Sequence, residues 1–263
     1  MAPDPKHPMT LPIFDLTGRI ALVTGSSQGI GYALAGGLAR SGARVVLNGR
    51  DAAKLDAAVA ALRAEGLDVA GRAFDVSDPA AAEAAVAEIE AGIGPIDILI
   101  NNAGKQHRAP ATEFPDDAWH DMVRVNLDSV FFMCRSVGKR MVARGRGKIV
   151  NIGSVMCELG RATVVPYTAT KGAVKMMTRG LATEWAKHGV QVNAIGPGYF
   201  ATPLNKALMD NSEFNDWLCK RTPAGRWGKL EELVGAAVFL SSPASDFVNG
   251  HLLMVDGGIT ASV

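Results

Sequence analysis

The sequence predicts an α/β fold: one doubly wound parallel sheet with helices on both faces and a small helical lid. Three observations carry that expectation. Short apolar runs alternate with helical patterns along the whole chain, with no linker and no internal repeat. A glycine-rich turn follows the first apolar run directly. The polar motifs fall at or just beyond the ends of apolar runs, which is where parallel sheets of this kind bind ligands.

The first run, Arg19–Val23, reads as a buried strand and leads into TGSSQGIG and a helical pattern. Gly25, Gly29 and Gly31 in a strand–turn–helix setting let backbone N–H groups approach a pyrophosphate at a helix N-terminus, with Ser27, Gln28 and Ile30 between them. The spacing is Gly-x-x-x-Gly-x-Gly, not the commoner Gly-x-Gly-x-x-Gly. The second strand, Ala43–Leu47, ends in Asn48-Gly49-Arg50. A fold selective for NAD places an acid near this strand end; here Arg50 offers a guanidinium that suits a 2′-phosphate, which favours NADP(H). The alternative is a solvated arginine opening the next helix. The third strand, Leu67–Phe74, is followed by Asp75-Val76; Asp75 either accepts from an adenine amino group or caps the next helix, where Ser77 and Asp78 are equally good candidates.

Ile96–Ile100 is apolar throughout, as a central parallel strand should be, and closes in Asn101-Asn102-Ala103-Gly104. Small residues there admit a nicotinamide ribose, while the asparagines can brace neighbouring strands. A polar loop then enters a helix that contains Asn126, which as a buried amide needs partners. Lys148–Ile152 is the fifth strand and leads to Ser154. Gln191–Ala194 is the sixth; beyond it, Pro197, Gly198, Phe200 and Thr202 form a bend that can border a nicotinamide. The 203–227 stretch has no strand signal but carries Leu204, Leu208, Phe214 and Trp217, and reads as the lid or as a packing contact. A helix and a last strand at HLLMV finish the sheet.

Chemistry concentrates in SVMCELGRATVVPYTATK, from Ser154 to Lys171. Tyr167 and Lys171 are four residues apart, so a helix stacks them on one face, and Pro166 suits its first turn. A free phenol has a pKa of about 10; an ammonium one turn away is expected to lower it, allowing proton exchange with an alcohol or carbonyl oxygen held by Ser154. Alone, the pair is as readily a half-buried ring beside a solvated amine. With a hydride donor alongside, these are the parts for carbonyl reduction.

The chain has 263 residues with 48% apolar side chains, enough for one large domain with a substantial core. Its formal net charge of +1 gives no electrostatic ground for a nucleic-acid or membrane partner. Cys134, Cys157 and Cys219 lack metal-ligand spacing and read as reduced thiols, so no metal is expected. The proline-rich start, with no signal-like or bilayer-spanning apolar run, is expected to be a flexible arm over 1–13. A single dinucleotide-binding and catalytic domain is expected over 14–263, in a cytoplasmic protein.

With these residues in hand, the chain resembles the classical short-chain dehydrogenases/reductases from about Phe14 to the C-terminus. The resemblance rests on TGSSQGIG, Asp75, NNAG at 101–104, Asn126, Ser154, YTATK at 167–171, PG at 197–198 and VDGG at 255–258. It implies a Rossmann-like fold, with Tyr167 as acid/base and Ser154 orienting the carbonyl. It also implies that Lys171 binds the nicotinamide ribose and lowers the tyrosine pKa, and that Asn126 completes a proton relay. NADP enzymes of the family often carry a basic residue where Gln28 stands, so coenzyme preference rests here on Arg50. Lys105 departs from the usual apolar residue after NNAG. The resemblance further implies a homotetramer, with the long helices after Asp116 and Pro166 forming one contact.

The segments VVLNGR, GPIDILINNAG, FFMCRSV, RGRGKIVNI and DWLCKRTPAGRWGKLEELVGAAVFLSS are similar to the family's sugar-acid dehydrogenases, which implies NADP-linked oxidation of a sugar acid. A carboxylate-bearing polyol needs a cation in its pocket, and Arg108 or Arg161 can supply it; solvated arginines at a loop rim are the alternative. Other readings are a reductase of 3-ketoacyl thioesters, a polyol dehydrogenase, or a dinucleotide sensor without turnover. The Asn–Ser–Tyr–Lys set argues against the sensor.

Overall fold

The computed structural model describes residues 11–202 and 205–263. Seven strands form one parallel sheet in the order β3-β2-β1-β4-β5-β6-β7. They are β1 (Ile20–Val23), β2 (Arg44–Gly49), β3 (Val69–Ala73), β4 (Ile98–Asn101), β5 (Gly147–Ile152), β6 (Val190–Pro197) and β7 (Leu252–Val255). The chain moves outward from β1 to β3, then crosses back to lay β4 against the other side of β1. At that reversal the connections on either side diverge and leave a crevice at the carboxyl ends of the strands.

The helices are α1 (Gly29–Arg40), α2 (Ala52–Ala64), α3 (Pro79–Gly92), α4 (Asp116–Val123), α5 (Ser129–Arg144), α6 (Val165–Trp185), α7 (Lys206–Met209), α8 (Ser212–Arg221) and α9 (Val234–Ser241). Side chains along a strand alternate between faces, so each strand feeds two cores. Ala21 and Val23 pack with Leu34 and Leu38 of α1, Leu55 and Leu62 of α2, and Leu240 of α9. Leu22, between them, packs with Val86 of α3, Val137 of α5 and Val174 of α6. Each such leucine or valine contributes roughly 1.5–3 kcal/mol by leaving water.

Helix starts follow local chemistry. Asp51 caps α2 by accepting from the Lys54 amide at 3.1 Å. Asp78, not Ser77, caps α3, accepting from the Ala80 and Ala81 amides, with Pro79 in the first turn. The expected helix around Asn126 is interrupted: Arg124–Asp128 form a π turn between α4 and α5. The tyrosine helix ends at Trp185 and tightens into a 3₁₀ turn over Ala186–His188.

Most of the expected N-terminal arm, 1–10, lies outside the described residues. Its last part is not featureless, because Pro12–Phe14 form a 3₁₀ turn. Of the expected lid, Pro203 and Leu204 lie outside the described residues; the rest holds α7 and α8. Among the described residues no helix is long and apolar enough to cross a membrane, and no group of three or more His, Cys, Asp or Glu is gathered as for a metal ion.

Candidate active site

The carboxyl ends of the strands open onto a cleft of about 480 Å³, running from the β1–α1 turn to α7. One end is built by the glycine turn. Gly29 has φ +60°, and nothing lies within 4 Å of where a Cβ would stand, so the space before the first turn of α1 is open. Gln28, at the N-cap, makes no side-chain cap, leaving first-turn N–H groups available to an anion. Gly31 plays another part. A Cβ there would stand 2.4 Å from the Asn102 amide nitrogen and 2.5 Å from the Gly25 carbonyl oxygen. It permits close packing of α1 and does not itself line the cleft.

Ser27, Asn48, Gly49, Arg50, Asp75 and Val76 continue this wall. The Asn48 side chain is buried and fully engaged: Oδ1 accepts from the Gly25 amide at 3.2 Å, and Nδ2 donates to the Arg72 and Phe74 carbonyls. Arg50 is exposed at the rim, 3.8 Å from Asp75. Lys54, one turn into α2, lines the same part of the cleft. Asp75 takes both the amide and hydroxyl of Ser77 on Oδ1. Burial alone would raise this carboxyl; the Ser77 hydrogen bonds and the charges of Arg50 and Arg124 outweigh it and hold the pKa down. An open helix N-terminus for a pyrophosphate, an ionised acid for an adenine edge and two rim cations for a further phosphate fit a nicotinamide adenine dinucleotide phosphate.

The middle of the cleft holds the candidate chemistry. Asn102 donates to the Thr24 and Gly25 carbonyls, tying β4 to the glycine turn, and Ala103 and Gly104 line the floor. Asn126, wholly buried in the π turn, clasps the next residue: Nδ2 donates to the Lys105 carbonyl at 2.9 Å, and Oδ1 accepts from its amide at 2.8 Å. Ser154 accepts from the Met156 amide at 3.1 Å, so its own hydrogen is free to point elsewhere. Lys171 is buried and donates to the Ile152 carbonyl at 2.6 Å. Its nitrogen is 5.7 Å from the centre of the Tyr167 ring.

The expected lowering of the tyrosine pKa does not appear. Burial pushes the phenol up to about 12, although Ser154 nearby favours the phenolate. The same burial brings Lys171 down to about 8. The reason is geometric: Lys171 spends its shortest bond on a backbone carbonyl, and the low-polarity setting penalises the charged form of both groups.

The far end is cationic and aromatic. Arg108 and Arg161 both line it, beside Gln106, Tyr199, Asn205 and Leu208. Burial lowers the Arg108 pKa, and the charge of Arg161 lowers it further. Among the described residues neither arginine has a carboxylate within ion-pair distance; Arg108 donates to Gln106 and Arg161 to the Tyr199 hydroxyl. The departing residue Lys105 lines the cleft and is paired with Asp121, and Glu158 is paired with Lys175.

Pro197, Gly198 and Thr202 border the cleft as expected. Phe200 does not. It is buried in the core with its ring against Gly228, where a Cβ would stand 2.5 Å away. Among the lining residues to which the sequence assigned no role of their own are two polar side chains, Lys54 and Tyr199. Lys54 carries a signal, one helical turn after Arg50; Tyr199 carries none beyond its place after Pro197-Gly198.

The family model for short chain dehydrogenases matches residues 19–213. Gluconate 5-dehydrogenase of Gluconobacter oxydans is 60% identical over 95% of this chain and 98% of its own. The 5-keto-D-gluconate 5-reductase of Escherichia coli K12 is 53% identical over 95% and 99%. A crystal structure of a gluconate 5-dehydrogenase from Burkholderia cenocepacia, in complex with NADP and tartrate, superposes with a TM-score of 0.93 at 55% identity, over 95% of this chain and 98% of that one. The chain belongs to the short-chain dehydrogenase family.

Proposed function

We propose that this short-chain dehydrogenase is an NADP(H)-dependent oxidoreductase that interconverts D-gluconate and 5-keto-D-gluconate. One observation carries the reading: the Ser154–Tyr167–Lys171 group shares its cleft with two arginines, Arg108 and Arg161, that have no acid of their own among the described residues. A neutral ketone or a long acyl chain gives no reason for such a pair; a sugar acid does. Identities of 53–60% to relatives named for this reaction support it, as does a relative solved with a hydroxylated dicarboxylate.

When bound, the coenzyme supplies or takes the hydride. In the reductive direction Ser154 donates a hydrogen bond to the carbonyl oxygen, the Met156 amide bond to its Oγ leaving the hydroxyl hydrogen free for this. Tyr167 gives its proton to that oxygen as negative charge develops there. Lys171, with two hydrogens beyond the one given to Ile152, binds the nicotinamide ribose and favours the phenolate that remains. Asn126 belongs to the relay that returns the proton. Arg50 and Lys54 hold the 2′-phosphate, and Arg108 and Arg161 the substrate carboxylate.

We further assign a single domain to the chain from Phe14 onward, a cytoplasmic setting and a homotetramer. The last is supported by apolar side chains left exposed on the long helices, Phe131 on α5 and Val165 and Met176 on α6.

NADPH oxidation by purified protein tests the reading, with 5-ketogluconate, 2-ketogluconate, fructose and a 3-ketoacyl thioester offered separately and each repeated with NADH. Turnover mainly with 5-ketogluconate and NADPH is expected. Turnover of the thioester alone would overturn the substrate. Tyr167→Phe should abolish turnover and leave NADPH binding, measured by fluorescence, within about a factor of two, since the phenol's proton acts in the transition state rather than in binding.

A further inference from the structure

We propose that Tyr199 and Phe214 are positioning residues that hold Arg161 as the receptor for the substrate carboxylate, which makes α8 part of acid recognition. The proposal rests on the sugar-acid reading above and deepens it. Arg161 stands in an irregular loop between Ser154 and α6. An arginine on such a loop has many rotamers to lose, so a receptor built from it needs outside support.

That support comes from a different part of the chain. Arg161 donates to the Tyr199 hydroxyl at 3.2 Å. Its guanidinium carbon lies 5.9 Å from the centre of the Tyr199 ring and 5.3 Å from that of Phe214. Both distances are within reach of cation–π attraction. The two rings are 5.8 Å apart, and each also meets Trp227. Trp227 is fixed in turn by its indole N–H, which donates to Asn215 on α8 at 2.8 Å. The Tyr199 carbonyl accepts from the Gly228 amide at 2.9 Å, so both ends of the aromatic group are anchored.

The loop itself is held in a strained form. Thr163 has φ +67°, the only positive value at a non-glycine among the described residues, and its carbonyl accepts from the Ala109 amide at 3.2 Å. A β-branched residue in that region is disfavoured, and such strain persists only where surrounding structure imposes it. The effect is to bring the Arg161 loop against the Arg108 loop, so that two like charges converge. Arg161 spends one N–H on the Tyr199 hydroxyl and keeps its others for a planar anion, and a carboxylate matches that fork. If the aromatic cluster were only packing, Arg161 would be incidental to it.

Steady-state kinetics with 5-ketogluconate and NADPH decide the matter, using Arg161→Ala, Tyr199→Phe, Phe214→Leu and the two double variants that add Arg161→Ala. Each of the two aromatic substitutions should raise KM about three- to ten-fold with kcat changed less than about two-fold, the scale of one lost hydrogen bond or cation–π contact. In the Arg161→Ala background both should add nothing. Phe214→Tyr keeps an aromatic face and should hold KM near the wild-type value even if Phe214→Leu folds poorly. Full effects persisting without Arg161, a loss falling on kcat at constant KM, or a Phe214→Tyr variant as impaired as Phe214→Leu would each overturn the proposal. A wild type idle on 5-ketogluconate overturns the substrate reading and this one with it; an active wild type with independent effects overturns this one alone.

Discussion

Replacing Lys171 with methionine separates what the lysine does for chemistry from what it does to the fold. The folded-state pKa of about 8 lies below the ordinary 10.5, because burial disfavours the ammonium. A difference of that size corresponds to roughly 3 kcal/mol against the folded protein at neutral pH. The unfolded chain binds the proton more tightly, so stability rises with pH between about 8 and 10.5 and is lost as pH falls back through about 8. Between pH 7 and 10 this one group should raise wild-type stability by about 2.5 kcal/mol, an order-of-magnitude figure, and the methionine variant should lack that rise. The Tyr167 phenol does not intrude: its folded pKa of about 12 is above the ordinary 10.0, so its contribution is intact below pH 10 and lost only above it. Cys134 titrates alike in both proteins, whereas the Cys157 thiol, held up chiefly by burial and eased by the Lys171 charge, is pushed further up in the variant, so the comparison is best made with Cys157→Ala in both backgrounds. At pH 7 the variant should be the more stable by about 2 kcal/mol, after allowing about 1 kcal/mol for the Ile152 carbonyl left without its donor. Urea unfolding at pH 7, 8.5 and 10 measures both quantities, and turnover should be lost throughout. Parallel stability curves for the two proteins would refute the reasoning, because they would mean that Lys171 is not desolvated.

Arg50→Ala should raise KM for NADPH by about ten-fold or more and leave KM for NADH nearly unchanged, the scale of lost charge-assisted bonds to one phosphate; equal effects on both coenzymes would remove Arg50 from the 2′-phosphate site. Thr163→Asn should stabilise the protein by about 1 kcal/mol in urea, since asparagine tolerates the left-handed region that threonine does not; unchanged or lower stability would mean the turn is not strained.

Much of this was legible in the sequence because the governing signals are local. A buried parallel strand is an unbroken apolar run, and a turn that must approach a phosphate needs glycine. A tyrosine and lysine one helical turn apart can be seen in a line of text. What was not legible depends on distance or environment. Gln191–Ala194 reads as a strand stopping before Gly196-Pro197, yet β6 continues to Pro197 because β7 supplies a partner along Ala194–Pro197. Gly31 also serves helix packing and the Phe200 ring also fills the core, and no local pattern tells that the one is pressed against Asn102 or that the other turns inward after a bend. The direction of the Tyr167 shift failed for a related reason. Spacing reports that an ammonium is near; it does not report that both groups are dry. The convergence of Arg108 and Arg161 depends on a strained turn at Thr163 and could not be read from either loop alone.

Asn48 shows how tightly coenzyme choice is welded to the scaffold. The obvious way to admit NAD is to place an acid at the end of β2, where a carboxylate can grip the ribose hydroxyls. Here that end is occupied by an amide used in both senses, accepting from the glycine turn and donating to two carbonyls at the end of β3. An aspartate of the same shape could keep the first bond but would face two carbonyl oxygens with no hydrogen to offer. The keystone that shapes the phosphate turn is therefore a poor place to retune the enzyme. Exchange of coenzyme, in evolution or by design, has its freedom one step outward at Arg50 and Lys54, where the side chains reach solvent and each makes only a solvent-exposed ion pair, to Asp75 and Asp51.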